Sequence, residues 1–395
     1  MAAPEAVVLE RVSRMAKPSV VVVGAGVFGA WSALRLARAG WRVTLVDAYG
    51  PANGRASSSD HSRVIRAGYG AIDIYTRWAT ESLADWHWLS RQAGIPLVEE
   101  CGALFLGESG SAHLADTAQT LSAAGVAHER LTASAVASRF PQIGVIGLGE
   151  GVLESRGGVL RARRGVQAAV AVALAAGASY QQARVLPLDE SASAPVVRLS
   201  DGGTLSADHY VCACGPWLPA LFPQAVGARI RPTRQEVLYF GVPSGDARFG
   251  VAHLPAWIDF ASGLYGIPDL DAHGFKVGID RHGAAIDPDG ADRIVGADVV
   301  QMARAFFARR FPALLHAPLV DAHVCQYENT ATGDFIIDRH PQWANVWVVG
   351  GGSGHGFKHG PAVGKHVTDL LAGRAGVEPR FALAGKAGEA ARAVY

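Results

Sequence analysis

Three glycines that follow a short apolar run carry the clearest chemical signal in this sequence. The run covers residues 20–23, and the glycines are Gly24, Gly26 and Gly29. This order is typical of a strand, a tight turn and the start of a helix. The first glycine permits the bend, the second lets a pyrophosphate approach the backbone, and the third lets helix and strand pack closely. Because a helix N-terminus offers unpaired N–H groups and partial positive charge, the motif predicts a dinucleotide phosphate site.

A carboxylate at the end of the next predicted strand extends this motif. Residues 41–46 are predicted to form a second strand, which leads into Asp47. An acid about twenty residues after the glycines is placed to accept a hydrogen bond from the ribose of a dinucleotide. A glycine-rich turn in some other α/β protein is the alternative. The strand, glycines, helix, second strand and acid together favour the dinucleotide site.

The composition is that of a globular protein with a large core. The 395 residues correspond to two or three compact units at roughly 150 residues each, and 49% of them are hydrophobic. The net charge is +1 and no Lys/Arg block stands out, so no nucleic-acid partner is expected. No apolar run reaches the roughly 18 residues that span a bilayer, and the start lacks the apolar core of a secretory signal. Four cysteines make no disulfide framework in so long a chain, so we predict a cytoplasmic protein with a flexible extension over residues 1–17.

The elements around these motifs alternate between helical and strand-like patterns. Helices are predicted over residues 74–93, 112–124, 134–140, 161–176, 299–310 and 361–371. A buried strand over 209–214 ends at Gly215, where the backbone can approach a ligand, and Trp217 follows closely. Short strand-like segments between residues 231 and 312 predict an antiparallel sheet. We therefore expect an α/β fold in which the N- and C-terminal strand–glycine–helix units form one domain, with the sheet inserted as a second domain.

Several segments in the second half of the chain are specific enough to indicate a family. They are the run from Gly350 to Lys358, the pair Cys325 and Tyr327, and residues 335–338. Residues 62–70 and 275–278 agree with the same pattern, in the same order along the chain. The sequence resembles the monomeric sarcosine oxidase and N-methyl amino acid oxidase family, within the D-amino-acid-oxidase-like FAD-dependent oxidoreductases. The resemblance covers about residues 20–371.

The resemblance implies a fold of two parts and an activity. A Rossmann-like FAD-binding domain would comprise residues 18–90, 150–225 and 320–390. A substrate domain built on an antiparallel sheet would comprise residues 91–149 and 226–319. The implied reaction oxidises an amino acid or secondary amine, with hydride transfer to flavin N5 giving an imine, and O₂ reoxidising the flavin to give H₂O₂.

The resemblance also implies which residues bind FAD. Cys325 would be bonded covalently to the flavin, although an isolated cysteine is otherwise read as a buried apolar residue. Arg63 would lie near the flavin ring, with a structural ion pair as its alternative. The complete expected set is Gly24, Gly26, Val27, Phe28, Gly29, Asp47, Ser58, Arg63, Val185, Gly215, Trp217, Cys325, Gly352, Gly354, His355, Gly356 and Lys358.

Four residues are expected to act on the substrate or on oxygen, again by resemblance. Arg66 and Lys358 would bind the substrate carboxylate, which suits the planar fork of arginine; surface cations are the alternative. Lys276 would lie near flavin N5 and stabilise superoxide as its charge develops, rather than being an edge-strand lysine. Tyr327 would line the substrate pocket, or would otherwise belong to the core.

Two carboxylates depart from the family pattern. Asp280 stands where sarcosine oxidases often have histidine, and Glu328 follows Tyr327 in place of threonine. Both are expected in or near the substrate pocket, where they would favour a more cationic substrate, or else they point into solvent. His355 and His359 are four residues apart, but no third ligand is evident and we expect no metal.

Two other functions remain open from the sequence. One is a flavin-dependent dehydrogenase that passes electrons to another acceptor, and the other is a non-catalytic FAD-binding assembly factor. The presence of Arg66, Lys276, Tyr327 and Lys358 argues against the assembly factor, because a scaffold does not need them. An NAD-dependent dehydrogenase would leave the C-terminal glycine loop unexplained.

Overall fold

The computed structural model describes residues 17–388. The predicted extension over residues 1–17 therefore lies outside the described residues, except for Lys17. The strands are β1 Ser19–Val23, β2 Arg42–Asp47, β3 Ser62–Ile65, β4 Val98–Glu99, β5 Ala103–Gly107, β6 His128–Thr132, β7 Glu150–Glu154, β8 Gly158–Arg161, β9 Ser179–Gln182, β10 Val197–Arg198, β11 Thr204–Leu205, β12 His209–Cys212, β13 Arg231–Phe240, β14 Ala256–Asp259, β15 Leu264–Ile267, β16 Phe275–Ile279, β17 Leu319–Asn329, β18 Ile336–Arg339 and β19 Val346–Gly350. The α-helices are α1 Val27–Arg38, α2 Asp73–Ala93, α3 Ala112–Ala123, α4 Ala133–Arg139, α5 Ala162–Ala175, α6 Leu218–Leu221, α7 Ala297–Arg310 and α8 Gly360–Leu371.

A six-stranded sheet forms the first half of the architecture, in the order β18-β19-β12-β1-β2-β9. All neighbours are parallel except β18 and β19. Every residue of β1 is buried, as in parallel strands that are covered on both faces. Helix α1 packs against α8 and α5 on one face, where Trp31 and Leu34 are fully buried. The predicted α/β fold with a Rossmann-like unit is confirmed.

An eight-stranded sheet forms the second half, in the order β17-β13-β16-β15-β14-β5-β7-β6. Its pairs are antiparallel except β14 with β5, which are parallel. Phe306 and Phe307 of α7 pack with Trp257 and Phe275 of the sheet, which buries the apolar faces of both. Arg310 and Asp259 form a buried ion pair at this interface.

Strands β3, β8 and β4 form a small separate sheet in that order, and the sequence pattern did not predict it. Strand β3 places Arg63 and, just after its end, Arg66. Strand β7 pairs with β5, and β17 pairs with β13, so both belong to the eight-stranded sheet. We expected residues 150–154 and 320–329 in the FAD-binding domain. The expected domain boundaries stay a prediction. The two-domain division itself stays a prediction.

Within residues 17–388, no helix combines the length and apolar character needed to cross a bilayer. The cytoplasmic location stays a prediction.

Candidate active site

The glycine turn after β1 has the geometry that the motif requires. Gly24 has a φ of +102°, and a Cβ there would lie 2.4 Å from the carbonyl oxygen of Ala213. A Cβ on Gly29 would lie 1.8 Å from the carbonyl oxygen of Gly24, far inside van der Waals contact. Only glycine fits either place, because neither the conformation nor the close helix–strand approach leaves room for a side chain.

Two side chains hold this turn in place. The Asp47 carboxylate accepts the N–H of Ala25 at 2.8 Å, and its other oxygen accepts the N–H groups of Tyr49 and Gly50. The Ser58 hydroxyl accepts the N–H of Val27 at 3.1 Å. These contacts fix the first turn of α1 relative to the strand ends.

A long cleft of about 1390 Å³ opens at this turn and runs between the two large sheets. It is formed where the parallel strands end, which is where open α/β sheets bind ligands. Thirteen of the predicted FAD-binding residues line it: Gly24, Gly26, Val27, Phe28, Asp47, Ser58, Arg63, Val185, Gly215, Trp217, Gly352, Gly354 and Gly356. Because the glycine cradle would be filled by any Cβ, the residues present fit a dinucleotide.

Four predicted FAD-binding residues do not line this cleft. Gly29 packs behind the turn, for the steric reason given above. Cys325, His355 and Lys358 line a second, smaller cleft of about 730 Å³. Their placement follows from β17 and from the loop before α8, which face this second cleft.

One end of the long cleft carries a cluster that the sequence pattern did not reveal. Asp289 accepts hydrogen bonds from Tyr49, Arg184 and Trp217, at 2.5, 2.9 and 3.1 Å. These bonds, chiefly that from Arg184, hold the pKa of Asp289 well below its usual range. Asp289 lies in the loop between β16 and α7, so the substrate side of the molecule reaches over this end. A polar loop of Asp, Gly and Pro has no periodicity that could have indicated it.

The two clefts meet at Arg63, Tyr327, Gly354 and Phe357, which line both. The second cleft also contains predicted substrate residues, namely Arg66, Asp280 and Lys358. Apolar side chains line much of the rest, together with the polar Gln235 and Glu236; the apolar ones include Val64, Val237, Ile258, Tyr265 and Ile279. The arrangement can hold one end of a small ligand on charged groups and direct the other toward the long cleft.

Arg66 and Lys358 are both buried and both lie on Tyr69. The guanidinium carbon of Arg66 is 4.3 Å from the ring centre, and Lys358 Nζ donates to the Tyr69 hydroxyl at 2.6 Å. Arg66 donates to the carbonyl of Gly68 and Lys358 to that of His355, so their bonds go to neutral oxygens. Burial, with Arg66 beside it, holds the pKa of Lys358 well below its usual range. A carboxylate ligand would relieve this repulsion.

Glu154 supports the backbone that carries Arg66. Its carboxylate is buried and accepts the N–H groups of Ala67 and Gly68 at 2.8 and 3.1 Å. Burial raises the pKa of Glu154 to about 7, against the effect of these hydrogen bonds and of Arg66. The sequence pattern gave no sign of this residue, because β7 is too short to show a period.

Lys276 lines neither cleft. Its Nζ is fully buried and donates to Asp60 at 2.6 Å and to the carbonyl of Ser62 at 2.7 Å. Arg63, which lines both clefts, shares the same oxygen of Asp60. Lys276 therefore lies one ion pair behind the junction of the clefts. Its expected role near flavin N5 stays a prediction.

Glu328 was expected in or near the substrate pocket, or else pointing into solvent; it is buried and lines the long cleft, next to the pocket. Its carboxyl faces the glycine backbone: a Cβ built on Gly215 would lie 3.4 Å from Oε2, and one on Gly352 would lie 3.1 Å from Oε1. Burial raises the pKa of Glu328 to about 7. Side chains alternate along β17, so Glu328 points to the other side of the strand from Tyr327, which lines both clefts.

Cys325 lies at the junction, where Arg63 donates to its Sγ at 3.6 Å. The rings of His355 and His359 both contact the Tyr69 hydroxyl, at 3.3 and 2.8 Å. Within the described residues, no group of three or more His, Cys, Asp or Glu side chains is arranged to hold a metal ion.

Comparison with known proteins decides the family. The sequence pattern of the DAO family, described as FAD dependent oxidoreductase, matches residues 19–370. The chain belongs to this family. Monomeric sarcosine oxidase of Bacillus sp. (strain NS-129) is 30% identical over 358 residues, which cover 89% of this chain and 92% of that protein. N-methyl-L-tryptophan oxidase of Salmonella newport (strain SL254) is 29% identical over 364 residues, with 91% and 95% covered.

A solved structure agrees on the fold. L-proline dehydrogenase from P. horikoshii superposes with a TM-score of 0.80 at 20% identity, covering 93% of this chain and 97% of that one. Membership confirms the predicted family, the FAD cofactor and the class of activity, which is FAD-dependent oxidation of an amino acid or amine at a CH–NH bond. A covalent bond through Cys325 stays a prediction.

Proposed function

We propose that this chain is an oxidase of small N-alkylated or cyclic amino acids that uses O₂ and releases H₂O₂. One observation carries the proposal. The second cleft holds Arg66 and Lys358 together in a buried pocket, and it opens into the cofactor cleft through Arg63 and Tyr327. A molecule that binds by its carboxylate would thereby present its amine-bearing carbon to the cofactor. The matched relatives are named as oxidases of such compounds.

The protein's own groups would orient the substrate and control its protons. Arg66 would donate two hydrogen bonds to the carboxylate, and Lys358 would add a third, charged donor. Holding the reacting carbon at roughly 3–3.5 Å from its acceptor replaces a bimolecular encounter with a fixed approach. The apolar wall around Tyr265 excludes water and favours the neutral amine, which is the reactive form. When bound, FAD supplies the acceptor for the hydride.

The size and charge of the pocket argue for a small substrate that carries a polar side chain or N-substituent. Asp280 lies at the pocket together with Glu236, whose carboxylate accepts from Arg234 at 2.6 Å. A pocket with acids beside apolar walls would accept a side chain or N-substituent larger and more polar than a methyl group. We propose that sarcosine is not the best substrate.

A screen for peroxide tests the proposal. Purified protein would be offered N-methyl, cyclic and unsubstituted amino acids of both configurations, with oxygen uptake and peroxide measured together. We expect equal consumption of O₂ and release of H₂O₂ with N-methyl or cyclic compounds. Reduction of the flavin without oxygen uptake would show that electrons pass to another acceptor, and the oxidase proposal would fail.

A further inference from the structure

Glu328 carries a buried carboxyl oxygen that the protein itself leaves without a partner. The residue is only 7% exposed, and within residues 17–388 no group makes a hydrogen bond to its Oε2. Buried polar groups are almost always hydrogen-bonded, whether to the protein, to water or to a ligand. Because the side chain lines the long cleft, whose glycine cradle fits the dinucleotide, the cofactor can supply the missing partner.

Glycine backbone surrounds this carboxyl on two sides. A Cβ built on Gly215 or Gly350 would lie 3.4 or 3.3 Å from Oε2, and one on Gly352 would lie 3.1 Å from Oε1. Any larger residue would therefore crowd the carboxyl at these positions. Glu328 thus lies between the loop that follows β12 and the loop that follows β19, and Gly215 and Gly352 line the long cleft beside it.

The place of Glu328 along the cleft indicates which part of FAD meets it. The Gly24 turn, which fits the pyrophosphate, packs on the backbone of Ala213, two residues before Gly215. The flavin ring belongs at the junction of the two clefts, beside Tyr327, because a substrate in the second cleft reaches the cofactor there. Glu328 lies between these two points, next to Gly215 in space and next to Tyr327 in sequence. The ribityl chain is the part of FAD that joins the pyrophosphate to the ring.

The protonation of Glu328 favours a hydroxyl group as its partner over a phosphate. Burial raises the pKa of the carboxyl to about 7, against the effect of the backbone N–H groups of Gly352 and Gly351. Near neutral pH the carboxyl is therefore present both as a donor, when protonated, and as an acceptor, when ionised. A hydroxyl matches both forms, whereas a phosphate oxygen can only accept and repels the ionised form.

We propose that Glu328 binds FAD through Oε2, by a hydrogen bond to one hydroxyl group of the ribityl chain. The contact fixes the chain between the pyrophosphate and the flavin ring, on the other side of β17 from Tyr327. Threonine, which the family pattern has at this position, is shorter and would not extend as far from the strand. The inference rests on the FAD cofactor of the family and not on the proposed substrate or electron acceptor.

The first test removes the hydroxyl from the cofactor. Cys325→Ser protein, in which no bond through this position can hold the flavin, would be equilibrated with excess FAD or with an analogue that lacks one ribityl hydroxyl. After desalting and dilution without substrate, release is followed by the rise in flavin fluorescence. We expect one of these analogues to leave about 10-fold faster than FAD, as for the loss of a single hydrogen bond.

The second test removes the carboxyl in the same Cys325→Ser background. Glu328→Met keeps a side chain of similar length without either oxygen, and we expect it to release FAD about 10-fold faster. The analogue that leaves the parent protein fastest should leave this variant no faster than FAD does, because the two changes delete the same contact. Glu328→Gln keeps a donor and an acceptor, so it should retain the preference for FAD over that analogue.

Gln326→Met is the matched control. Gln326 lies two residues before Glu328 on the same side of β17, it is fully buried, and its Oε1 also has no hydrogen-bond partner among the described residues. It lines neither cleft, and its amide donates to the carbonyl of Arg55 at 2.6 Å. The control therefore removes a buried polar side chain from the same strand, and the preference for FAD over the analogues should not change.

The outcomes separate this inference from the proposed function. Equal release of FAD and of every analogue from the parent protein overturns the contact, and this result needs no variant of Glu328. Equal acceleration of FAD and of every analogue by Glu328→Met also overturns it, since the carboxyl would then act elsewhere. A protein that holds FAD as expected but oxidises no amine would leave the contact in place and overturn the proposed function instead.

Discussion

At the scale of single residues, the site depends on two basic side chains that are buried next to each other, which disfavours their charged forms. Arg66 and Lys358 share the Tyr69 ring, and their hydrogen bonds go to neutral oxygens. Two like groups held together in a dry pocket favour an anion between them. The carboxylate of an amino acid supplies that anion, which is why recognition and orientation of the substrate can come from the same two side chains.

Removal of Arg66 should discriminate between substrates. Arg66→Ala is expected to lower kcat/KM for carboxylate-bearing amines about 10- to 100-fold, the loss of a charge-assisted hydrogen-bonded pair. The corresponding amines without a carboxylate should change little. Steady-state rates for matched pairs of compounds check this, and an equal loss for both kinds would count against docking by Arg66.

Lys358 should give carboxylate binding a pH dependence. Because its pKa is held below the usual range, the ammonium form is present at low pH and is lost as pH rises through that lowered value. Affinity for propionate, measured by its perturbation of the flavin spectrum, should therefore weaken as pH rises. Lys358→Met should bind weakly at every pH, and a slope that survives in this variant would contradict the assignment.

At the scale of elements, the strand–turn–helix unit at β1 and α1 positions the cofactor. Helix propensity alone predicts that Gly29→Ala in α1 stabilises the protein by up to about 1 kcal/mol. The clash with Gly24 at 1.8 Å is far larger, since the partner is backbone and cannot move freely. Steric exclusion therefore decides the outcome.

Gly29→Ala is expected to yield protein with little bound flavin. The ratio of visible to ultraviolet absorbance of the purified protein measures this. Gly376→Ala is the control, because a Cβ there would meet nothing within 4 Å. Normal flavin content in Gly29→Ala would mean that the close approach of helix and strand is not required.

Most helices and the central strands could be predicted from the sequence. The short strand and the loop residues that hold the site residues in place could not. Helix α7 begins two residues before its predicted start, and α5 follows its predicted span within one residue. In both segments apolar residues recur at helical spacing over the whole length of the helix. Strand β3 pairs with β8, which lies almost a hundred positions away in the sequence. Because β3 has only four residues, it is too short to show the alternation that is typical of a strand. Asp60 and Asp289 lie in polar loops, where only tertiary contacts reveal a role.

At the scale of the whole molecule, two sheets of different type face each other across the clefts. The six-stranded sheet brings the glycine turns together, and the eight-stranded sheet supplies Tyr327 and Cys325 to the clefts, with Lys276 behind them. Neither sheet alone contains a complete site. The loop bearing Asp289 crosses from one half to the other and ties them at the end of the long cleft.

Covalent attachment would be a property of this junction, because Cys325 meets Arg63 there. Acid precipitation of the yellow protein is expected to leave the colour in the pellet. Cys325→Ser should release it to the supernatant while the fold is retained. A colourless wild-type pellet would show that the flavin is held without a covalent bond.

Anaerobic reduction tests the central claim most directly, namely that one small amino acid bound on Arg66 and Lys358 meets the cofactor where the two clefts join. An N-methyl or cyclic amino acid would be mixed with the protein without oxygen, beside the amine that lacks its carboxylate. The account predicts that the visible flavin band bleaches with the amino acid, much more slowly with the amine, and equally slowly with both in Arg66→Ala. Bleaching at the same rate with both compounds in the wild type, or none with any amino acid, would contradict it.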